Sequence, residues 1–156
     1  MATVSSSEPW AYALHLPHHP RAPRVARMTL RAVLGGHGIS ELIDVAELLT
    51  SEVVTNSYRY SDGPASLRMR SMDKGRRLRV SVWDTNPVIP APFDKPPGPL
   101  PFVPLREPDD STGGRGLLLV QLCADNWGGF SVRAGLGGKL LWFELGRPEV
   151  EFACAA

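Results

Sequence analysis

The chain carries almost no net charge: 17 Lys and Arg stand against 16 Asp and Glu, a formal +1 over 156 residues. That balance excludes a global electrostatic pull toward nucleic acid, so no direct nucleic-acid partner is expected. Long apolar runs are also missing, which excludes a membrane-spanning helix. The opening MATVSSSEPWAYALHLP lacks a basic stretch followed by a long apolar one. No secretory leader is therefore expected, and a cytoplasmic location is. Cysteine is scarce. Cys123 and Cys154 have no metal-ligand spacing, and two free thiols are expected rather than a disulfide. The four histidines, His15, His18, His19 and His37, form no pattern such as H-E-x-x-H, so no metal role is assigned to them. No internal repeat is visible.

At 43% hydrophobic, the chain is long enough to bury one core. Trp10 to Leu16 reads as a first strand and Arg21 to Leu34 as a first helix, with Val25, Met28, Ala32 and Leu34 as its apolar positions. Arg24, Arg27 and Arg31 share a face of that helix, which is a solvated face or a contact surface for an acidic partner. Ile39 to Tyr60 reads as a second, longer helix with Leu42, Val45, Ala46, Leu49 and Val53 on one stripe. Ser61-Asp62-Gly63-Pro64 is turn chemistry, followed by strands at Ala65 to Met72 and Arg76 to Trp83 around a turn at Asp73 to Gly75.

Residues 85–112 differ in kind. Nine of the fifteen prolines lie there, so neither helix nor central strand persists, and a lid is expected over 87–112. A short helix at Leu117 to Ala124 follows, then strands at Asn126 to Arg133 and Lys139 to Leu145 around a glycine-rich turn. Adjacent strands favour an antiparallel sheet. The expected fold class is α+β, a two-layer sandwich with helices packed on one face of a mostly antiparallel sheet. A single domain is expected over 10–146, with tails at 1–9 and 147–156.

Three polar groups do not fit an apolar core. At about 100° per residue, Asn56 falls roughly 40° from the centre of the second helix's apolar stripe, and Glu52 one turn earlier on its edge. A carboxamide and a carboxylate placed there cost free energy unless something pairs with them. Asn supplies a neutral oxygen suited to Mg²⁺, and Glu can orient or deprotonate a hydroxyl. Period two carries Asp84 onto the buried row of Val80 and Val82, where an ionised carboxylate needs a donor. The amino group of adenine is such a donor. Gly113-Gly114-Arg115-Gly116 precedes a helix, where free N–H groups favour phosphate. Each feature alone also has an ordinary structural explanation: a solvated edge, a turn cap, a flexible loop.

Together they resemble the GHKL ATP-binding fold shared by DNA gyrase, histidine kinases and the large heat-shock chaperones. The closer resemblance is to the short bacterial anti-sigma-factor serine/threonine kinases, especially the actinobacterial type. Ser51 to Tyr60 resembles the family's N box, Val82-Trp83-Asp84 the start of its first glycine box, and Gly114-Arg115-Gly116-Leu117 its second. Trp127-Gly128 and Gly138 to Leu145 resemble its closing strands. The resemblance implies ATP and Mg²⁺ as cofactors, Glu52 as catalytic base and Asn56 as metal ligand. It implies that Asp84 holds the adenine amino group. Gly114 and Gly116 would let the lid pass over the phosphates, with Leu117 closing that box. Arg59 and Arg115 become candidate phosphate contacts.

The sequence also departs from the family. The usual D-x-G-x-G reads Asp84-Thr85-Asn86-Pro87-Val88, so Asn86 stands where the first glycine would, and Leu140 replaces a threonine near the base. Asn tolerates the left-handed backbone region; Val does not. The implied function is a kinase acting on a serine or threonine of an antagonist (anti-anti-sigma) protein and binding a sigma factor, in a homodimer. The chain is too short for a phospho-acceptor hairpin or a transducer domain, so a stand-alone module is expected. Two alternatives stand beside it: a nucleotide-gated binding protein without turnover, which the altered first box favours, and an α+β domain without nucleotide.

Overall fold

A computed structural model describes residues 8–96, 115–133, 135 and 137–148. Five strands form one antiparallel sheet: β1 (Ala11–Leu16), β2 (Ala65–Met72), β3 (Arg77–Asp84), β4 (Asn126–Ser131) and β5 (Lys139–Gly146), in the order β1-β2-β3-β5-β4. Helices α1 (Ala22–Gly36), α2 (Ile43–Tyr60) and α3 (Arg115–Cys123) complete the described elements. The expected α+β sandwich is what the chain forms.

The strands alternate as a one-sided sheet must. Leu67 and Met69 of β2, Leu78, Val80 and Val82 of β3, and Leu141, Phe143 and Leu145 of β5 all point into the core. Asp84 ends that row in β3 and Lys139 begins it in β5, and the two residues are paired in the register. The opposite face carries Arg68, Arg70, Arg79, Trp83, Leu140 and Trp142, which line a shallow groove of about 450 Å³.

Helix α2 lies as its periodicity predicts: Leu42, Ala46, Leu49, Val53 and Asn56 are buried. A turn of 3₁₀-helix, Ser40–Leu42, leads into it. Ser61 ends it in an extended conformation, its N–H bonded to the carbonyl of Ser57.

Helix α1 corrects the expectation for its buried face. Val25 and Met28 are 46% and 58% exposed, and Ala32 is exposed as well. Leu34 is buried as expected, and the rest of the core stripe is instead Ala22, Ala26 and Leu30. The buried row repeats every four residues from Ala22 to Leu34, and Val25, Met28 and Ala32 lie off it. Arg31 bridges to Glu47 of α2 at 2.6 and 2.9 Å while staying exposed, so one of the three arginines is paired within the fold. That bond, with the charge behind it, raises the pKa of Arg31 and holds the Glu47 carboxyl below the ordinary range.

Of the proline-rich segment, residues 97–112 lie outside the described residues. Residues 87–96 form neither helix nor strand, as expected. Phe93 is nevertheless fully buried, and Ile89 packs against the core, so the start of this segment is anchored. At the other boundary Arg147 continues the body: its N–H reaches the carbonyl of Arg76, and its side chain pairs with Glu41. Cys123 is a free, exposed thiol, and Cys154 lies outside the described residues. Among the described residues no helix is long and apolar enough to cross a membrane, and no cluster of His, Cys, Asp or Glu has the makings of a metal site.

Candidate functional site

The second half of α2 supplies the first part of the site. Asn56 is 6% exposed, and its Oδ1 is buried with no hydrogen-bond partner. Two other buried polar atoms among the described residues share that state, Thr50 Oγ1 and Trp127 Nε1. The Asn56 oxygen lies one helical turn from a half-buried carboxylate, that of Glu52. An orphaned acceptor of this kind costs about 1–3 kcal/mol in an otherwise well-made core. A neutral amide oxygen fits Mg²⁺, which takes one or two protein oxygens and keeps the rest of its shell for water and phosphate. The donor set fits the implied metal.

Glu52 reaches α3. A Cβ added at Gly116 would lie 1.8 Å from Glu52 Oε2, so the missing side chain is what lets the carboxylate rest on that backbone. Gly116 is the second residue of α3, and the positive end of the helix favours the carboxylate's charge. The structure therefore brings Glu52 and the second glycine box together. Gly114 lies outside the described residues, and of Arg115 only the backbone is described. The Leu117 side chain is committed to the core, so any contact it makes with phosphate is through its backbone. Arg59 stands exposed in the last turn of α2, about two turns beyond Glu52.

Asp84 is buried where the alternation placed it, but it does not lack a donor. Lys139 Nζ donates to both of its oxygens at 2.9 Å. Ser57 Oγ donates to Oδ2 at 2.7 Å and the backbone N–H of Asn86 to Oδ1 at 2.9 Å. Four protein hydrogen bonds already fill its acceptor positions, so the donor that the carboxylate needs comes from the fold. Lys139 was not singled out from the sequence. The signal was there, since Lys139 shares its period-two row with Leu141, Phe143 and Leu145, as Asp84 does with Val80 and Val82.

The altered first box needs no left-handed residue at 86 or 88. Among the described non-glycine residues only Asp73 and Lys74 have positive φ. Asn86 instead closes the turn with its amide: Nδ2 donates to the carbonyl of Tyr60 at 2.7 Å, and Oδ1 accepts from the N–H of Val88 at 2.9 Å. A strict glycine requirement stands at Gly138, at φ +84°, where a Cβ would stand 1.9 Å from the carbonyl oxygen of Asp84.

An antiparallel sheet covered on one face by helices, with an orphaned amide and a carboxylate on α2 and a buried aspartate ending β3, defines a nucleotide-binding class of α+β domain. The chain belongs to the histidine kinase-like ATPase domain family, whose sequence pattern matches residues 16–144. ATP is the ligand that membership implies. No curated protein matches the chain.

Proposed function

We propose that this protein is an ATP- and Mg²⁺-dependent regulatory protein kinase of the anti-sigma-factor type. It acts in the cytoplasm on a serine or threonine of an antagonist protein and binds a sigma factor. The single observation that carries the reading is the buried, unpartnered Oδ1 of Asn56 one turn from Glu52.

Bound Mg·ATP supplies the transferable γ-phosphoryl group and the charge that neutralises it. The chain does the rest. Asn56 offers its amide oxygen to the cation. Glu52 accepts the proton of the partner's hydroxyl as that oxygen bonds to phosphorus and the bridging bond to ADP breaks. The backbone around Gly116 leaves room for the carboxylate, so its position is fixed before the partner arrives.

Partner recognition is assigned to α1. Arg24 and Arg27 are exposed there beside Val25 and Met28, an apolar and basic surface suited to an acidic protein. A homodimer accompanies this reading by family resemblance.

A second reading keeps nucleotide binding without turnover. The altered first box, Asp84-Thr85-Asn86-Pro87-Val88, favours it. Transfer of labelled γ-phosphate to an antagonist co-purified from the native cell separates the two. The kinase reading expects transfer by the wild-type protein and a loss of about 10²–10⁴-fold in Glu52→Gln, with ATP binding retained. ATP binding without transfer to any partner establishes the switch instead.

A further inference from the structure

Asp84 and Lys139 form a closed pair at the end of the core. Each is 1% exposed, and they are paired across the β3–β5 register. A carboxylate has about four acceptor positions, and here Lys139, Ser57 and the Asn86 N–H use four. Lys139 is equally committed. Beyond its two bonds to Asp84, Nζ reaches the carbonyl of Asn86 at 3.4 Å. A neutral amino group on a purine is a weaker donor than a buried ammonium and does not displace it. Removing the ammonium would leave a buried, uncompensated charge.

We infer that Lys139 sets the base selectivity of this site by holding Asp84 closed to the 6-amino group of a purine. The inference rests on the nucleotide reading above and refines it. The wild-type protein then takes nucleoside triphosphates through phosphate and metal, with little regard for the substituent at the purine 6-position. Losing Lys139 opens two acceptor positions on Asp84. The 6-amino group of adenine then becomes the donor that the carboxylate lacks, and the 6-oxo group of inosine does not. Lys139 is a positioning residue here, since it acts on the ligand through Asp84.

The test is calorimetric titration of the full chain with Mg·ATP and with Mg·ITP, for the wild type and for Lys139→Met. The wild type is expected to bind the two within about threefold. Lys139→Met is expected to prefer ATP by about tenfold or more, the scale of one hydrogen bond to a charged group. A wild-type protein that already prefers ATP beyond about threefold overturns the inference, as does a folded Lys139→Met no more selective than the wild type. Should Lys139→Met fail to fold, the wild-type comparison decides alone. Absence of binding by either nucleotide to the wild type overturns the nucleotide reading itself. That outcome is distinct from binding with the wrong selectivity.

Discussion

Asn56 and Thr50 both present buried oxygens without partners, and on the proposed function the first serves the ligand and the second does not. Replacing a buried, unsatisfied polar group by an apolar one of similar shape is neutral or stabilising. Thr50→Val is expected to leave the melting temperature unchanged or raise it slightly, with no effect on nucleotide binding. Asn56→Leu is expected to hold or raise the stability of the free protein while abolishing Mg²⁺-dependent nucleotide binding. A destabilised Asn56→Leu in thermal melts, with nucleotide binding intact, would make the amide structural. Gly116→Ala is the complementary change. It forces the Glu52 carboxylate out of its seat, since Oε2 lies where the new methyl must go. It is expected to lower phosphoryl transfer at least about tenfold while nucleotide affinity changes less. Parallel activity and binding assays check it.

Legibility was greatest where one residue answers to one periodicity. Asn56 and Asp84 were both placed by counting along an element, and both are buried as counted. What counting along one element did not show was the neighbour. Lys139 sits 55 residues from Asp84, and their meeting depends on β5 pairing with β3, with β4 at the sheet edge. A buried polar residue was visible; whether the fold or a ligand satisfied it was not.

Among elements, α1 holds the clearest lesson. Its large apolar residues Val25 and Met28 point outward, and its buried face begins with alanines. Side-chain size alone misleads, because position along the row that repeats every four residues decides what is buried, and Ala26 lies on that row at 0% exposure. Ala26→Leu is therefore expected to destabilise by about 1–3 kcal/mol through overpacking, and Met28→Ala to stay within about 0.5 kcal/mol. Urea titrations measure both. The Arg31–Glu47 bridge that ties α1 to α2 gives a pH signature. The Glu47 carboxyl is held low in the folded state, first by its hydrogen bond to Arg31. Its contribution is present above the ordinary glutamate range, roughly pH 4.3, and is lost as pH falls through the folded value. The stability difference between wild type and Arg31→Ala should shrink toward zero in acid. A difference that stays constant from neutral pH into strong acid would contradict this account of the bridge. Most element boundaries were legible because turn chemistry marks them: Gly35-Gly36, Ser61 to Pro64, and Asp73 to Gly75 all fall at ends.

At the scale of the whole molecule, the two sides of the sheet do different work. The helix-covered side holds the core and the polar cluster at one end of it. The open side presents Arg68 and Arg70 beside Trp83, Leu140 and Trp142, with the Arg79 guanidinium 4.2 Å above the Trp142 ring. Net charge near zero gave no hint of that segregation, because it sums over faces that the fold keeps apart. Fold class was legible from element order alone. A nucleotide site built from three segments entered only as a resemblance, since it depends on those segments meeting.

The most direct measurement of the central claim is a calorimetric titration of the wild-type chain and Asn56→Ala with ATP, each with Mg²⁺ and with excess EDTA. The account predicts saturable binding by the wild type that weakens at least about tenfold without the metal. It predicts that Asn56→Ala binds weakly and equally in both conditions. Wild-type binding indifferent to Mg²⁺, or an Asn56→Ala variant that keeps the full metal dependence, would contradict it.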